Sequence, residues 1–253
     1  MPRRGDDFGP QPQIAFPRLT PAVKAMLIGV VALFVVQMIE QEWLQRGWFA
    51  RFLLLHPKQI FQKFPELWRL VTWPVVEAPD PRALLFGCIT LYFFATELEE
   101  DFGTRRFVLF MAISVLSIGV VAALYGLAHP VYFSKPVYGL EPIGYLLITM
   151  WGMRYPHRRL FFPPVSARVL VWVTLGMAIL FILARAAQQS PAASLGAIGL
   201  GWAFARYWDR IDDWLDRRRL ASLKKKRDGG GRLRVLPGGR GDDPKKRDKR
   251  FLN

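Results

Sequence analysis

Hydrophobic positions in this chain fall into runs and not into stripes. Six runs bounded by charge or proline cover residues 25–39, 83–96, 107–127, 137–153, 169–184 and 192–205. A helix at the surface of a soluble core keeps one polar face. Here the run 107–127 is broken only by Ser114 and Ser117 among small polar residues, and the run 169–184 only by Thr174. The pattern predicts an all-α membrane protein, with six transmembrane helices packed as a bundle. The connection at 40–82 is the longest and is not polar: Trp48, Phe49, Phe52 and Leu53 to Leu55 precede Ile60, Phe61, Phe64 and Trp68. Too interrupted to span and too apolar for water, it is expected to lie in the membrane interface, with its tryptophans at headgroup depth.

Three segments follow from this. Residues 1–22, rich in proline and without periodicity, are expected to be a disordered cytoplasmic N-terminus, and 23–208 a membrane domain. Residues 209–253 are expected to form a basic cytoplasmic tail opening with a short juxtamembrane amphipathic helix. In that helix Trp208, Ile211, Trp214 and Leu215 recur between charges, ahead of Lys224, Lys225, Lys226 and Arg227. Such a tail is expected to bind anionic lipid headgroups. No folded nucleic-acid module accompanies the charge, so nucleic acid is not an expected partner.

Composition sharpens the picture. A net charge of +15 coexists with 52% hydrophobic residues and a positive mean hydropathy of +0.16, so charge and apolar residues occupy separate stretches. Of the 35 Lys and Arg, 27 fall in the termini and the second-to-third and fourth-to-fifth connections, against eight on the other side. The positive-inside bias then places both termini in the cytoplasm, and a bacterial-type cytoplasmic membrane is the expected location. The apolar run beginning near residue 25 lacks the small-residue pattern of a cleavable signal. The one cysteine, Cys88, excludes a disulfide framework and a thiolate zinc site. No cofactor or metal is expected.

The imidazole supply is only His56, His129 and His157, all outside the six runs, and none of the seven serines has glycine two positions before it. No His-Glu-x-x-His and no aspartate within a run offers another protease chemistry.

Particular residues resemble one family. Trp68-Arg69 lies in the first loop, Leu84-Leu85-Phe86 opens the second run, and Glu97-Leu98-Glu99-Glu100-Asp101-Phe102-Gly103 closes it. Gly139-Leu140 lies in the fourth run, and Ala193, Gly196, Ala197, Gly199 and Gly201 make a small-residue ladder in the sixth. Over roughly 25–208 this order resembles the rhomboid superfamily of six-helix membrane proteins. Active members are intramembrane serine proteases. The resemblance implies a serine in Gly-x-Ser on helix four, a histidine on helix six, and an Asn and a His near the start of helix two that help hold the oxyanion. The serine falls on Glu141, the Asn on Gly87, the helix-two His on Ala83, and the helix-six His on Ala192, Ala193 or Ser194. None keeps the chemistry that a hydroxyl nucleophile, its base and its oxyanion donors require.

The expectation is therefore a rhomboid-like pseudoprotease and not an enzyme, similar to Derlins and iRhoms, which bind transmembrane or misfolded membrane clients. An active serine protease with displaced residues is one alternative, and a structural scaffold recruiting a partner through the tail is another. Glu141 has two readings, a polar grip on a client helix or a carboxylate hydrated near the outer face. Trp68, Arg69, Glu99 and Gly103 read as structural motif, and Gly139 and the ladder as helix packing. Four runs of about 14 to 16 apolar residues span roughly 21–24 Å against about 30 Å of hydrocarbon, which predicts local thinning of the bilayer.

Overall fold

The computed structural model describes residues 18–158, 166–185 and 190–229. Among them the chain is helical, without strands. One isolated antiparallel bridge joins Leu55 to Val137.

Proline sets the helix starts. Helix α1 (Pro21–Met38), which ends in a π-helical turn at Ile39–Trp43, opens on proline. Within the first loop α2 (Trp48–Leu53), α3 (Pro57–Ile60) and α4 (Arg69–Thr72) follow. Helix α5 (Pro81–Thr90) continues through a π-helical turn, Leu91–Ala95, into α6 (Thr96–Phe102). Gly103 alone separates α6 from α7 (Thr104–Ala128), and its φ of +76° is open to glycine and strained for other residues. Then come α8 (Pro130–Phe133), α9 (Glu141–Arg154), α10 (Ala167–Arg185) and α11 (Pro191–Gly229). Proline at the first helical position gives up only an N–H that has no partner within the helix.

By length and composition three described helices can cross a membrane: Pro21–Trp43, Thr104–Ala128 and Ala167–Ala184. The other three expected spans are helical but fall short for evident reasons. The α5–α6 helix ends in Glu97, Glu99, Glu100 and Asp101, α9 has 14 residues, and α11 turns charged beyond its apolar start. Helix α11 also runs unbroken for 39 residues, where a span followed by a separate short helix is expected from sequence. One compact unit ends at Tyr207 and a second begins at Trp208.

Helix α9 occupies the middle of the first unit. Nine of its 14 residues are buried, and it packs on α5 and α10. Helix α10 instead turns Trp172 and Leu183 outward, 72% and 75% exposed, as a lipid-facing helix would. The first loop lies against α7, where Gly119 and Gly126 leave room for the Leu70 carbonyl and the Pro57 ring. The Trp73 indole, fully buried, donates to the Val115 carbonyl at 3.2 Å.

Candidate functional site

The Trp68-Arg69 motif resolves into a cap for α2. A short helix leaves its last carbonyls without partners. Arg69, 4% exposed, donates from one guanidinium nitrogen to the Arg51 and Leu54 carbonyls at 2.6 and 2.5 Å. The Trp68 indole donates to the Phe52 carbonyl at 3.2 Å and stacks on the Phe52 ring, while the Thr72 hydroxyl donates to the Leu53 carbonyl at 3.0 Å. Four successive carbonyls are satisfied by one stretch, and Glu66 holds the Arg69 Nε. His56 lies beside this brace, and burial, then the Arg69 charge, holds its imidazole below the usual value.

Glu99 and Gly103 form a second such unit. The Glu99 carboxylate, 2% exposed, accepts from Ala22 and Val23 N–H at 3.0 and 2.9 Å, so α6 supplies the N-terminal cap of α1. The Thr20 and Thr104 hydroxyls donate to the same group. Burial pushes the Glu99 carboxyl up, but these four donors outweigh it and hold the group below its ordinary value. Nearby, Glu97 accepts from the Trp151 indole at 2.6 Å and from Arg158, and Arg154 pairs with Asp101 at 2.8 Å.

The cavity lies elsewhere, between the N-terminal ends of α5 and α9. It encloses about 450 Å³. Ala83, Gly87 and Glu141, three positions singled out from sequence, all line it. Ser194 does not: among the described residues lining the cavity none comes from α11, where Ala192 and Ala193 are buried and Ser194 is half-buried. The Glu141 carboxylate accepts from the Tyr145 hydroxyl one turn along, at 2.7 Å. Its environment in the first turn of α9 is neither bulk water nor sealed core.

One cavity residue escapes sequence reasoning. Glu77, 7% exposed, accepts the Leu140 N–H at 3.0 Å and the Ala78 N–H at 3.2 Å. It is held in turn by the buried Gln37, whose amide donates to the Glu77 carbonyl at 2.7 Å and accepts from the Glu77 N–H at 3.2 Å. Gly139, with φ +92°, is required here, since a Cβ would meet the Glu77 carboxylate at 2.9 Å. Gly87 is likewise forced small: a Cβ there would come within 2.9 Å of the Leu140 Cβ. The available signal for Glu77 is a single charge inside the apolar stretch Trp73–Ala78.

The small-residue ladder needs one correction. Ala193, Ala197 and Gly201 are buried, a Cβ on Gly201 would lie 2.7 Å from the Leu146 carbonyl oxygen of α9, and one on Gly196 would lie 2.9 Å from Val121. Gly199, in contrast, has open space around it, because it points away from α7 and α9 at this helical register and is not a packing residue. Lys224 to Arg227 continue the α11 backbone, but their side chains lie outside the described residues, as does the N-terminal segment 1–17.

With helices, caps and cavity in place, comparison with known families adds one result. The model of a family described as "Eukaryotic integral membrane protein (DUF1751)" matches residues 23–227, most of the chain. This chain belongs to the DUF1751 family. No curated protein matches it. This DUF1751 protein is an integral membrane protein, with three described helices long and apolar enough to cross a membrane. The expected bacterial cytoplasmic membrane is overturned by the family's description as eukaryotic. Hydropathy and Lys/Arg asymmetry report insertion physics, which is common to both kinds of cell, so they carry no information about the organism.

Proposed function

We propose that this DUF1751 protein is a rhomboid-like six-span pseudoprotease that binds transmembrane or misfolded membrane-protein clients and does not cleave them. The observation that carries this reading is the hydrogen bond from the Leu140 N–H to Glu77, beside Glu141 and across from Ala83 and Gly87. A hydrolase keeps preorganised donors ready for the developing oxyanion. Here the protein's own carboxylate occupies a backbone donor next to the nucleophile's position. At the nucleophile's position stands the Glu141 carboxylate, which accepts from the Tyr145 hydroxyl, and the described lining contains no serine, cysteine, histidine or lysine.

What remains is a polar notch in an apolar bundle, suited to holding part of a client helix. Helix α9 spans roughly 21 Å at 1.5 Å per residue, short of about 30 Å of hydrocarbon, and supports local thinning beside the notch. Helix α1 with its π turn, α7 and α10 are each long enough by length and composition to cross, so thinning is centred on α9. The basic tail would add attraction to anionic headgroups.

Labelling with a serine-reactive fluorophosphonate tests the reading. No stoichiometric modification of the detergent-solubilised protein is expected. Labelling of one serine, abolished by its alanine variant, would establish an active hydrolase instead.

A further inference from the structure

Two of the membrane-crossing helices begin at the same place. Glu99 accepts from the Ala22 and Val23 N–H of α1, from the hydroxyl of Thr20 just before α1, and from that of Thr104, which opens α7. The starts of α1 and α7 are thereby tied side by side, and both helices are long and apolar enough to cross a membrane. Their first turns therefore stand at headgroup depth.

Cations gather at this junction. Arg18 and Lys24 flank the start of α1, and Arg105 is the second residue of α7. All three are exposed, and none is in an ion pair among the described residues. The carboxylates nearby are largely spent: Glu99 on its four donors, Glu97 on Trp151 and Arg158, and Asp101 on Arg154. That leaves the exposed Glu100 against three cations. Because Glu99 already meets the first N–H groups of α1, an anion arriving here is held by side chains and not by the helix end.

Apolar surface leads away from the cations. On α1, Ile28, Val31 and Val35 continue the helix face of Lys24 and are 60%, 43% and 50% exposed. On α7, Val108 and Leu109 lie on the face of Arg105, and they are exposed, as is Ile113 one turn further. The first-loop contacts with α7 made by Trp73, Leu70 and Pro57 fall farther along, at Val115, Gly119 and Gly126.

The ligand that fits both features is an amphiphile with a negative head. A free phosphate leaves the apolar faces unused, and a zwitterionic lipid brings an ammonium of its own toward three cations. An anionic phospholipid matches head and faces together, each nearby Lys or Arg adding about fivefold to its binding.

We propose that the junction of α1 and α7 is a binding site for one anionic phospholipid. Lys24 and Arg105 hold its phosphate, Arg18 adds charge, and its acyl chains lie along the exposed faces of the two helices. The site is separate from the cavity and from the tail, and it stands or falls independently of client binding.

Native mass spectrometry of the full-length protein in detergent tests this, with phosphatidylserine, phosphatidylcholine of the same chains, and glycerophosphoserine as probes. One phosphatidylserine should bind saturably ahead of phosphatidylcholine, and glycerophosphoserine should not compete with it. Lys24→Gln combined with Arg105→Gln should weaken that first phosphatidylserine roughly 25-fold, at about fivefold per cation. The charge-keeping exchange of Lys24→Arg with Arg105→Lys should bind as the parent does. So should Lys224→Gln, Lys225→Gln and Lys226→Gln together, which remove charge from the tail. Equal affinity for the two lipids, undiminished binding in the glutamine pair, or loss confined to the tail variant would overturn the site. Displacement by equimolar glycerophosphoserine would overturn the lipid in favour of a soluble phosphate.

Discussion

The Glu99 carboxylate accepts the Val23 N–H at 2.9 Å across 76 residues of sequence, joining the end of the second apolar helix to the start of the first. A side chain from another helix thus does the work usually left to a Ser, Thr, Asp or Asn immediately before the helix. Thr20 stands at that position but donates its hydroxyl to Glu99 and makes no cap of its own.

Glu99→Ala should accordingly lower stability by about 2 kcal/mol or more, since two backbone donors and two hydroxyls lose a charged acceptor together. Thermal unfolding in detergent checks this, and Glu99→Gln should recover part of the loss. Because the folded carboxyl lies below its ordinary value, the stabilisation is fully present above the unfolded value and is lost as pH falls through the folded one. The melting temperature should therefore fall as pH drops below about 4.5, and Glu99→Gln should flatten that slope.

His56 gives a second, separate pH dependence. Its folded value lies below 6.5, so the neutral ring is the stable form in the fold and acidification destabilises the first loop. Limited proteolysis of residues 44–80 should accelerate as pH falls below 6.5, and His56→Phe should remove the acceleration. Unchanged cleavage in that variant would place the sensitivity elsewhere.

Arg69→Lys tests the α2 cap. An ammonium cannot reproduce a guanidinium that bridges two carbonyls and Glu66. Loss of about 2 kcal/mol is expected, with the first loop becoming protease-sensitive before the helices unfold. A melting temperature equal to the parent would refute the cap.

Gly201→Ala and Gly199→Ala form a matched pair on α11. The first places a methyl 2.7 Å from the Leu146 carbonyl oxygen and should destabilise by about 1–3 kcal/mol. The second enters open space and should be neutral or slightly stabilising, as alanine favours helix over glycine. Equal losses at both sites would contradict the packing of α11 on α9.

Much of this was legible before any coordinates. The six apolar runs fall mainly on α1, α5–α6, α7, α9, α10 and α11, while prolines 21, 81 and 191, which open three of these helices, lie just outside the runs. Ala83, Gly87 and Glu141, chosen by resemblance alone, meet in one cavity. The residues that escaped are those whose role depends on contacts remote in sequence. Glu77 reaches Leu140 across 63 residues and Gln37 reaches Glu77 across 40, and neither sits in a motif or a periodic pattern. Gly199 shows the opposite failure: every residue of a small-residue ladder looks equivalent in sequence, while a helix turns only some of them toward a neighbour. The length of α11 also exceeds its apolar run, since helix continues wherever nothing terminates it and the apolar pattern marks only the buried part.

The central claim, a membrane fold that holds clients without cutting them, is tested most directly by mass spectrometry of single-span peptides incubated with the purified protein in nanodiscs. Intact peptide after prolonged incubation, together with crosslinks to the Ala83, Gly87 and Glu141 cavity, is the predicted result. A discrete cleavage product, lost when one serine or threonine of this chain is replaced by alanine, would contradict it.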